Sequence, residues 1–417
     1  MGLLSPRLAL IASLSLIAIA PWTTSGAADK SIHQVPPEAC KQCHEVIYEQ
    51  WMGSMHAESS ALNDPIHGAF YQSVVGDPRQ EGLTTKNGKY PVCLGCHAPI
   101  AAIEKKTKLD AKPAYGRGVS CVSCHSFSGF KGLKDAEGKL LLGVSAYNID
   151  STHLYGPSGI TYTAQRTPKD AKFPTPVYHP QPMEGNRSAL YESNDVCMGC
   201  HDRRPNMQGV QLCQTGDEYS ASKSSVSCQA CHMPVVTVKD KDGKLVSVAD
   251  HTMPGGHSDR MIARGLAMDM DTKREGDVIK TKVTLRNRLP HSYPTGAPFR
   301  NFYLKLTAYD KDGNSLWQNF QTHPLKDDPK AMFVYMLGDA GHPAPPPKAT
   351  EVLFDTRLKP NEVRELDYEI PANDNIAIIR AEALYNLLLP DLVKNFGDKL
   401  PEEVKVPKLA ASAEIRL

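Results

Sequence analysis

The sequence has 417 residues, of which 41% are hydrophobic and only 7% aromatic, while glycine (30) and proline (32) are frequent. This length suffices for two domains, and the composition indicates a loop-rich chain whose modest side-chain core needs additional stabilisation. The 47 basic and 46 acidic residues nearly cancel, which argues against a basic surface for nucleic acid or anionic lipid.

The first segment of the chain has the pattern of a secretory signal peptide. Arg7 supplies a positive charge, residues 8–20 are apolar, and residues 25–27 are small. The apolar run is shorter than the roughly 20 residues that span a bilayer. We therefore predict that residues 1–27 are removed and that the protein is exported to the periplasm or the cell exterior. An uncleaved N-terminal anchor is the alternative; no transmembrane anchor is expected after cleavage.

Ten of the 11 cysteines fall into five copies of the pattern Cys-x-x-Cys-His. Their cysteines are Cys40 and Cys43, Cys93 and Cys96, Cys121 and Cys124, Cys197 and Cys200, and Cys228 and Cys231. The histidines that complete them are His44, His97, His125, His201 and His232. Such repetition is far beyond chance for this composition.

This spacing is that of covalent haem attachment. Two thiols on one helical turn can each add to a vinyl group of one haem, and the next histidine then lies under the iron as an axial ligand. Zinc sites would combine the motifs in pairs, which an odd number does not allow. Neither a redox dithiol nor a disulfide framework needs the repeated histidine. We predict five covalently attached haems c, whose rings supply the apolar interior.

The spacing of the motifs also predicts which haems are neighbours. The second and third motifs, like the fourth and fifth, are separated by only about 30 residues rich in turns, too short a chain to hold two haems far apart. We expect two close haem pairs, with the first haem further out. Helices are predicted over 41–60, 66–75 and 188–200.

The histidines outside the motifs are candidates for the opposite face of each iron. Two axial imidazoles give low-potential haem suited to electron transfer, whereas an open face would allow substrate chemistry. The preferred candidates lie just after a motif or on a rigid or flexible turn: His56, His153, His251, His257 and His291. His67 and His179 are reserves, and His33, His323 and His342 are predicted to be surface residues.

The remaining cysteine, Cys213, has no partner for an internal disulfide, and we predict a buried structural thiol.

From about residue 259 the pattern changes to the alternation of half-buried strands. Apolar residues alternate over 279–285 and 302–308, and shorter strands are predicted at 352–354 and 376–381. A helix is expected near 388–396. Such strands favour an antiparallel β-sandwich of immunoglobulin or fibronectin type.

Two segments begin like calcium loops, namely 240–243 and 310–313. Neither has the glutamate that an EF-hand places at loop position 12, so we predict hairpin turns.

The predicted architecture is thus a signal peptide (1–27), a pentahaem domain of short α-helices and loops around stacked haems (28–258), and a β-sandwich domain (259–417).

Several segments resemble the cytochrome c-554-like family of multihaem c-type cytochromes. The similarity begins at the first motif (39–44), continues through 48–51, and includes Ser54-Met-His56-Ala57. It implies that His56 is a haem ligand. Larger relatives have stretches similar to 213–234, to the glycine-rich loop that ends at His257, and to the turn 290–296. The resemblance implies that this loop and this turn carry ligands.

The leading functional hypothesis is an electron carrier between redox proteins such as quinol-oxidising complexes and other cytochromes. One alternative is an oxidoreductase that acts on a nitrogen or sulfur compound at one open haem. Some such enzymes have lysine in place of the motif histidine at the active haem, so the histidine in all five copies disfavours this alternative. Another is a self-associating subunit of an extracellular cytochrome filament. We favour a non-catalytic role and leave catalysis open.

Overall fold

The computed structural model describes residues 31–158, residue 183 and residues 188–417. The predicted signal peptide and His179 lie outside these residues. None of the described helices is long and apolar enough to cross a membrane.

The part of the chain that contains the five motifs is built from short helices joined by loops. Its α-helices are α1 Pro37–Lys41, α2 Glu45–Met52, α3 Met55–Glu58, α4 Pro65–Val74, α5 Leu94–His97, α6 Pro99–Ile103, α7 Pro113–Gly116, α8 Cys121–His125, α9 Ser188–Glu192, α10 Asp195–His201, α11 Thr215–Ser222, α12 Cys228–His232 and α13 Asp259–Gly265. Two 3-10 helices are Ile32–Gln34 and Gly143–Ala146. Three two-stranded antiparallel hairpins pair β1 Phe127–Phe130 with β2 Tyr147–Ile149, β3 Arg204–Pro205 with β4 Gln211–Cys213, and β5 Val235–Lys239 with β6 Leu245–Ala249.

Local breaks explain why these helices are short. The helix predicted over 41–60 is three pieces, because His44 leaves the helical conformation (φ −115°, ψ 42°) and Gly53 ends α2. The Ser54 hydroxyl then accepts from Ala57 N and begins α3. The stretch 188–200 is likewise divided into α9 and α10. The prediction over 66–75 is confirmed by α4, whose first turn is capped by the Asp64 carboxylate.

Side-chain packing in this region is divided among small clusters. One contains Leu94, Ile100 and Tyr115, and another surrounds the stacked rings of Phe127 and Tyr147, whose centroids are 3.9 Å apart. A third joins Tyr48, Trp51 and Ala57. No single cluster extends through all of these helices among the residues that the structure describes.

The rest of the chain forms two antiparallel sheets. Its strands are β7 Leu266–Glu275, β8 Val278–Asn287, β9 Asn301–Tyr309, β10 Ser315–Gln318, β11 Met332–Asp339, β12 His342–Pro343, β13 Glu351–Asp355, β14 Val363–Pro371, β15 Ile378–Asn386 and β16 Lys408–Arg416. The helices here are α14 Pro324–Asp327 and α15 Pro390–Phe396, with 3-10 turns at Pro329–Ala331, Gly397–Lys399 and Glu402–Val404. One sheet has the order β14-β8-β7; the other has the order β12-β11-β9-β15-β16, with β10 on β9 and β13 on β11.

Both sheets contribute side chains to one hydrophobic cluster. Val283 and Leu285 of β8 belong to it together with Phe302 and Leu304 of β9, and all four are fully buried. The alternation read from the sequence is the burial pattern of β8, in which inward apolar residues alternate with outward polar ones. The predicted strands at 279–285 and 302–308 are confirmed, and so is the helix near 388–396.

Helix α4 connects the two regions. Ile66 belongs to the same hydrophobic cluster as the β-strands. The ring of Phe70 stacks on Phe299 at 5.2 Å and meets the edge of Phe396 at 5.0 Å. The motif-bearing region therefore packs directly on the β-region through aromatic contacts.

The two calcium-like segments are hairpin turns, as predicted. Asp310 Oδ1 accepts from Asp312 N and Asn314 N, and Gly313 has a positive φ of 84° between β9 and β10. The segment 240–243 forms the equivalent turn between β5 and β6.

Candidate functional site

In each motif, a helical turn brings the cysteines and the histidine together. Helices α8 and α12 span their motifs, and α5 and α10 end on the motif histidine. In the first two motifs, His44 N donates to Cys40 O at 2.9 Å and His97 N donates to Cys93 O at 3.0 Å. All ten motif cysteines are free of disulfide bonds.

Several motif histidines bond through Nδ1 to a backbone carbonyl. His97 Nδ1 lies 3.0 Å from Ser59 O, His125 Nδ1 lies 2.6 Å from Tyr155 O, and His232 Nδ1 lies 2.7 Å from Pro254 O. A metal-binding histidine characteristically donates its second ring N–H in this way, which fixes the ring and leaves Nε2 for the metal.

Candidate sixth ligands show the same second bond. His291 Nδ1 lies 3.0 Å from Ser292 O, and His251 Nδ1 lies 2.8 Å from Ala249 O. Loops that follow motif or hairpin segments thus hold these imidazoles in the tautomer that suits ligation.

Two histidine pairs have the separation expected across one metal ion. The ring centroids of His56 and His201 are 6.0 Å apart, and those of His232 and His291 are 6.5 Å apart. Two imidazoles on opposite sides of one metal, with bonds of about 2.0–2.1 Å, place their centroids roughly 6–6.5 Å apart. The structure therefore brings two predicted sixth ligands opposite motif histidines from distant parts of the chain.

Burial favours the neutral form of His56, His201 and His257, which is the form that binds a metal. Burial lowers the pKa of His56 to about 4, and the nearby His232 adds to this effect. It lowers the pKa of His201 to about 3, with His56 contributing. The pKa of His257 falls to about 4 through burial and the neighbouring Arg300.

The other predicted ligands have different surroundings. The side chain of His153 is 45% exposed, and its Nδ1 lies 3.4 Å from Asp150 Oδ2. His251 N donates to Gln50 Oε1 of α2, which places the loop that begins at His251 against the helix after the first motif. His257 lies half-buried near the β-region, where Lys408 Nζ donates to its carbonyl oxygen. These partners thus lie in three different parts of the chain.

Two histidines outside the preferred candidates have buried side-chain nitrogens without a hydrogen-bond partner. The prediction of His33 as a surface residue is wrong: it is 4% exposed, and its Nε2 is buried without a hydrogen-bond partner. His67 Nε2 is buried in the same way, and its ring lies 3.9 Å from that of His97, too close for a metal between the two. His67 was a reserve ligand candidate from the sequence, but the burial of His33 depends on contacts with distant segments near Asp150. His342 is exposed, as predicted, and His323 is half-buried.

Cysteines of different motifs lie next to one another. Three thiol pairs are within hydrogen-bonding reach: Cys40 with Cys121, Cys96 with Cys200, and Cys197 with Cys228. These contacts join the first motif to the third, the second to the fourth, and the fourth to the fifth. The contact between the fourth and fifth motifs agrees with their expected closeness. The contacts of the first motif with the third and of the second motif with the fourth were not predicted, and the former differs from the expectation of an outlying first haem. The pairing of the second haem with the third stays a prediction.

Cys213 forms no disulfide. Burial raises the pKa of its thiol, and its Sγ lies 3.7 Å from Thr215 Oγ1. An unreactive structural thiol is consistent with this environment.

A haem fits the residues of this region. The thiols are free, several imidazoles are oriented through Nδ1, and buried Nε2 atoms lack any partner in the protein. The described residues contain no group of three or more histidine, cysteine, aspartate or glutamate side chains able to hold a bare metal ion. A haem iron takes only axial ligands from the protein, since the porphyrin supplies the other four nitrogens.

Comparison with known proteins gives the same indication. Residues 39–126 match the family described as cytochrome c554 and c-prime. A crystal structure of a penta-haem cytochrome c552 from Thermochromatium tepidum is 48% identical, covers 93% of this chain and 100% of its own, and superposes with a TM-score of 0.84. A structural-genomics target protein covers 37% of this chain and 89% of its own, but at 7% identity and a TM-score of 0.18 it carries no argument. No curated protein matches the sequence significantly.

Proposed function

Because the chain belongs to the pentahaem cytochrome c552 family, a group of multihaem c-type cytochromes, we propose that it is an exported protein that transfers electrons between redox partners through closely spaced haems. It is an electron-transfer cytochrome with five covalently bound c-type haems. The finer proposal is carried by two pairs of facing imidazoles, His56 with His201 and His232 with His291.

Each motif binds one haem. The attaching thiols are Cys40, Cys43, Cys93, Cys96, Cys121, Cys124, Cys197, Cys200, Cys228 and Cys231, and the proximal ligands are His44, His97, His125, His201 and His232. Free thiols and helical motif geometry support this assignment. Bound haem supplies one-electron chemistry at its iron. The residues of the chain hold the rings, orient the imidazoles and exclude water.

The evidence for the sixth ligand differs from haem to haem. His56 opposite His201 and His291 opposite His232 rest on the ring separations. His153, His251 and His257 are proposed for the three other haems. His33 and His67 are further candidates for the same three positions, because their Nε2 atoms are buried and unpartnered. Histidine on both faces favours low-spin, low-potential haem.

The contacts between motif cysteines support closely spaced haems. Thiols that touch must belong to haems whose edges are near each other. The second, fourth and fifth motifs form one connected series through Cys96–Cys200 and Cys197–Cys228. Such a series suits a conduit along which electrons pass without a diffusing carrier.

We also propose where the protein works, what its partners are and how its chain is divided into domains. Residues 1–27 act as a signal peptide, the protein works in the periplasm or outside the cell, and its partners are other cytochromes and quinol-oxidising complexes. The chain divides into a pentahaem domain (28–258) and a β-sandwich domain of immunoglobulin or fibronectin type (259–417). The hydrophobic cluster shared by both sheets supports the sandwich.

Low-temperature EPR combined with carbon monoxide binding tests the proposal. We expect entirely low-spin ferric haem and a reduced protein whose absorption spectrum does not change with carbon monoxide. A high-spin fraction that binds carbon monoxide would contradict a pure carrier and favour the oxidoreductase alternative. Filaments in negative-stain images of the secreted protein would favour the filament alternative.

A further inference from the structure

A buried ion pair lies where α11 meets the β-region. Glu218 and Arg357 are 8% and 7% exposed in their side chains, and Arg357 Nη1 lies 2.8 Å from Glu218 Oε1. Glu218 lies between the fourth and fifth motifs, whereas Arg357 follows β13. Burying two charges is costly unless their hydrogen bonds are satisfied, and here both side chains have further hydrogen-bond partners.

The arginine is held by several groups of the β-region. Its Nε and Nη2 donate to the Asp355 carboxylate at 2.9 and 2.8 Å. Its guanidinium lies 4.7 Å from the centroid of the Tyr335 ring. A bidentate carboxylate and an aromatic face fix the planar group in one orientation. Arg357 is therefore a rigid anchor for Glu218.

The second carboxylate oxygen of Glu218 holds the turn that carries His291. Ser292 N donates to Glu218 Oε2 at 3.0 Å, and Thr295 Oγ1 donates to the same oxygen at 2.5 Å. On the other side of the turn, Asn287 Nδ2 donates to His291 O at 2.8 Å. The bond to Ser292 acts on the residue next to the imidazole that faces His232.

We propose that Glu218, anchored by Arg357, is a positioning residue that holds His291 on the iron of the fifth haem. The inference rests on the proposed ligation by His291 and extends it. The sixth ligand comes from the β-region, while its partner His232 lies between α11 and β5. Glu218 joins these two parts of the chain, so the geometry of the haem depends on a contact between them. This gives the β-region a role in setting the electron-transfer properties of the fifth haem.

The test compares variants of the haem-loaded protein by EPR, carbon monoxide binding and redox titration. In Glu218→Ala we expect about one fifth of the haem to acquire high-spin character and to bind carbon monoxide when reduced, because His291 is no longer held. Added imidazole restores the low-spin signal. Thr295→Val removes the hydroxyl that donates to Glu218 and that also lies 2.9 Å from Thr215 Oγ1. It shifts the potential of one haem by a smaller amount, which keeps the test decisive if Glu218→Ala does not accumulate.

Two further variants separate the possible outcomes. Glu414→Gln breaks an exposed pair with Arg380 and leaves all five haems unchanged. His291→Ala gives one full equivalent of carbon monoxide-binding haem. If His291→Ala does so while Glu218→Ala and Thr295→Val leave spin state and potentials unchanged, the positioning role is overturned and the ligand assignment stands. If His291→Ala leaves every haem low-spin, both the ligation by His291 and the positioning role are wrong.

Discussion

The motif-bearing region and the β-region of this chain build their interiors in different ways. In the β-region, one cluster of apolar side chains extends through both sheets. The helices of the motif-bearing region are short, and their side chains form separate small clusters. This difference is expected if covalent haem takes the place of side chains in the first region, whereas the second depends on ordinary packing.

The largest expected effect comes from withholding the cofactor. A chain produced without haem attachment should lose amide-exchange protection over residues 31–158 and 188–258, because its separate clusters bury too little apolar surface to offset chain entropy. Strands β9 and β15 should keep their protection. Hydrogen exchange with mass spectrometry measures this, with the haem-loaded protein as the control. If the chain without haem keeps the same amide-exchange protection in both regions as the haem-loaded protein, the two regions do not differ in how their interiors are built.

The reciprocal change is a truncation in the β-region core. Phe302 is fully buried and stacks on Phe333 with a centroid distance of 4.1 Å. Phe302→Ala should destabilise the β-region by about 3–5 kcal/mol, which chemical denaturation followed by tryptophan fluorescence or circular dichroism would report. The covalent haem content should not change. Phe354→Ala, at a site 40% exposed, is the matched control, and an equally large loss there would contradict a localised core.

A third change tests one sixth ligand of the haem region and leaves the fold intact. His56→Met should raise the potential of one haem by a fraction of the roughly 0.8 V range that axial ligands span, with all thioether links retained. Spectroelectrochemical titration measures the shift. His342→Met, at an exposed residue of the β-region, should leave the titration unchanged. A His56→Met protein that titrates like the parent would mean that His56 binds no iron.

The smallest effect concerns acid stability of the β-region. Hydrogen bonds from Thr322 N and Oγ1, followed by those from Gln321 N and His323 N, lower the pKa of Asp327 from 3.8 to about 2. A lowered carboxylate pKa contributes stability above pH 4 and loses it as the pH falls towards 2.

Asp327→Asn should therefore reduce the stability of the β-region slightly at neutral pH and flatten its pH dependence between pH 4 and 2. Thermal unfolding at a series of pH values measures this. Asp374→Asn, at a carboxylate that is 89% exposed, is the control. An unaltered pH dependence in Asp327→Asn would contradict the role of this carboxylate.

The parts that could be predicted from sequence are those set by local spacing. The motif pattern is contained within five residues and one helical turn. The strand over 279–285 buries only one of its faces, so apolar and polar residues alternate in its sequence. The strand Met332–Asp339 was missed because it is buried on both faces, so its apolar residues do not alternate. The single helix expected over 41–60 was wrong because the backbone turns at His44, within the motif itself.

The sixth ligands were harder to predict because they depend on folding. His291 approaches His232 only because the turn 290–296 packs beside α11, and His56 meets His201 across 145 positions of sequence. His33 was misjudged for the same reason, since its burial arises from the segment around Asp150. Sequence indicates which residue types can bind iron, but not which distant segments meet.

Intact-mass analysis with peptide mapping of the purified protein tests the central claim, that haem bound through the five motifs forms the interior of the first region. We predict a mass that exceeds the polypeptide by five haems, with one haem on each motif-containing peptide. Motif peptides that carry free thiols in a folded, protected protein would contradict it.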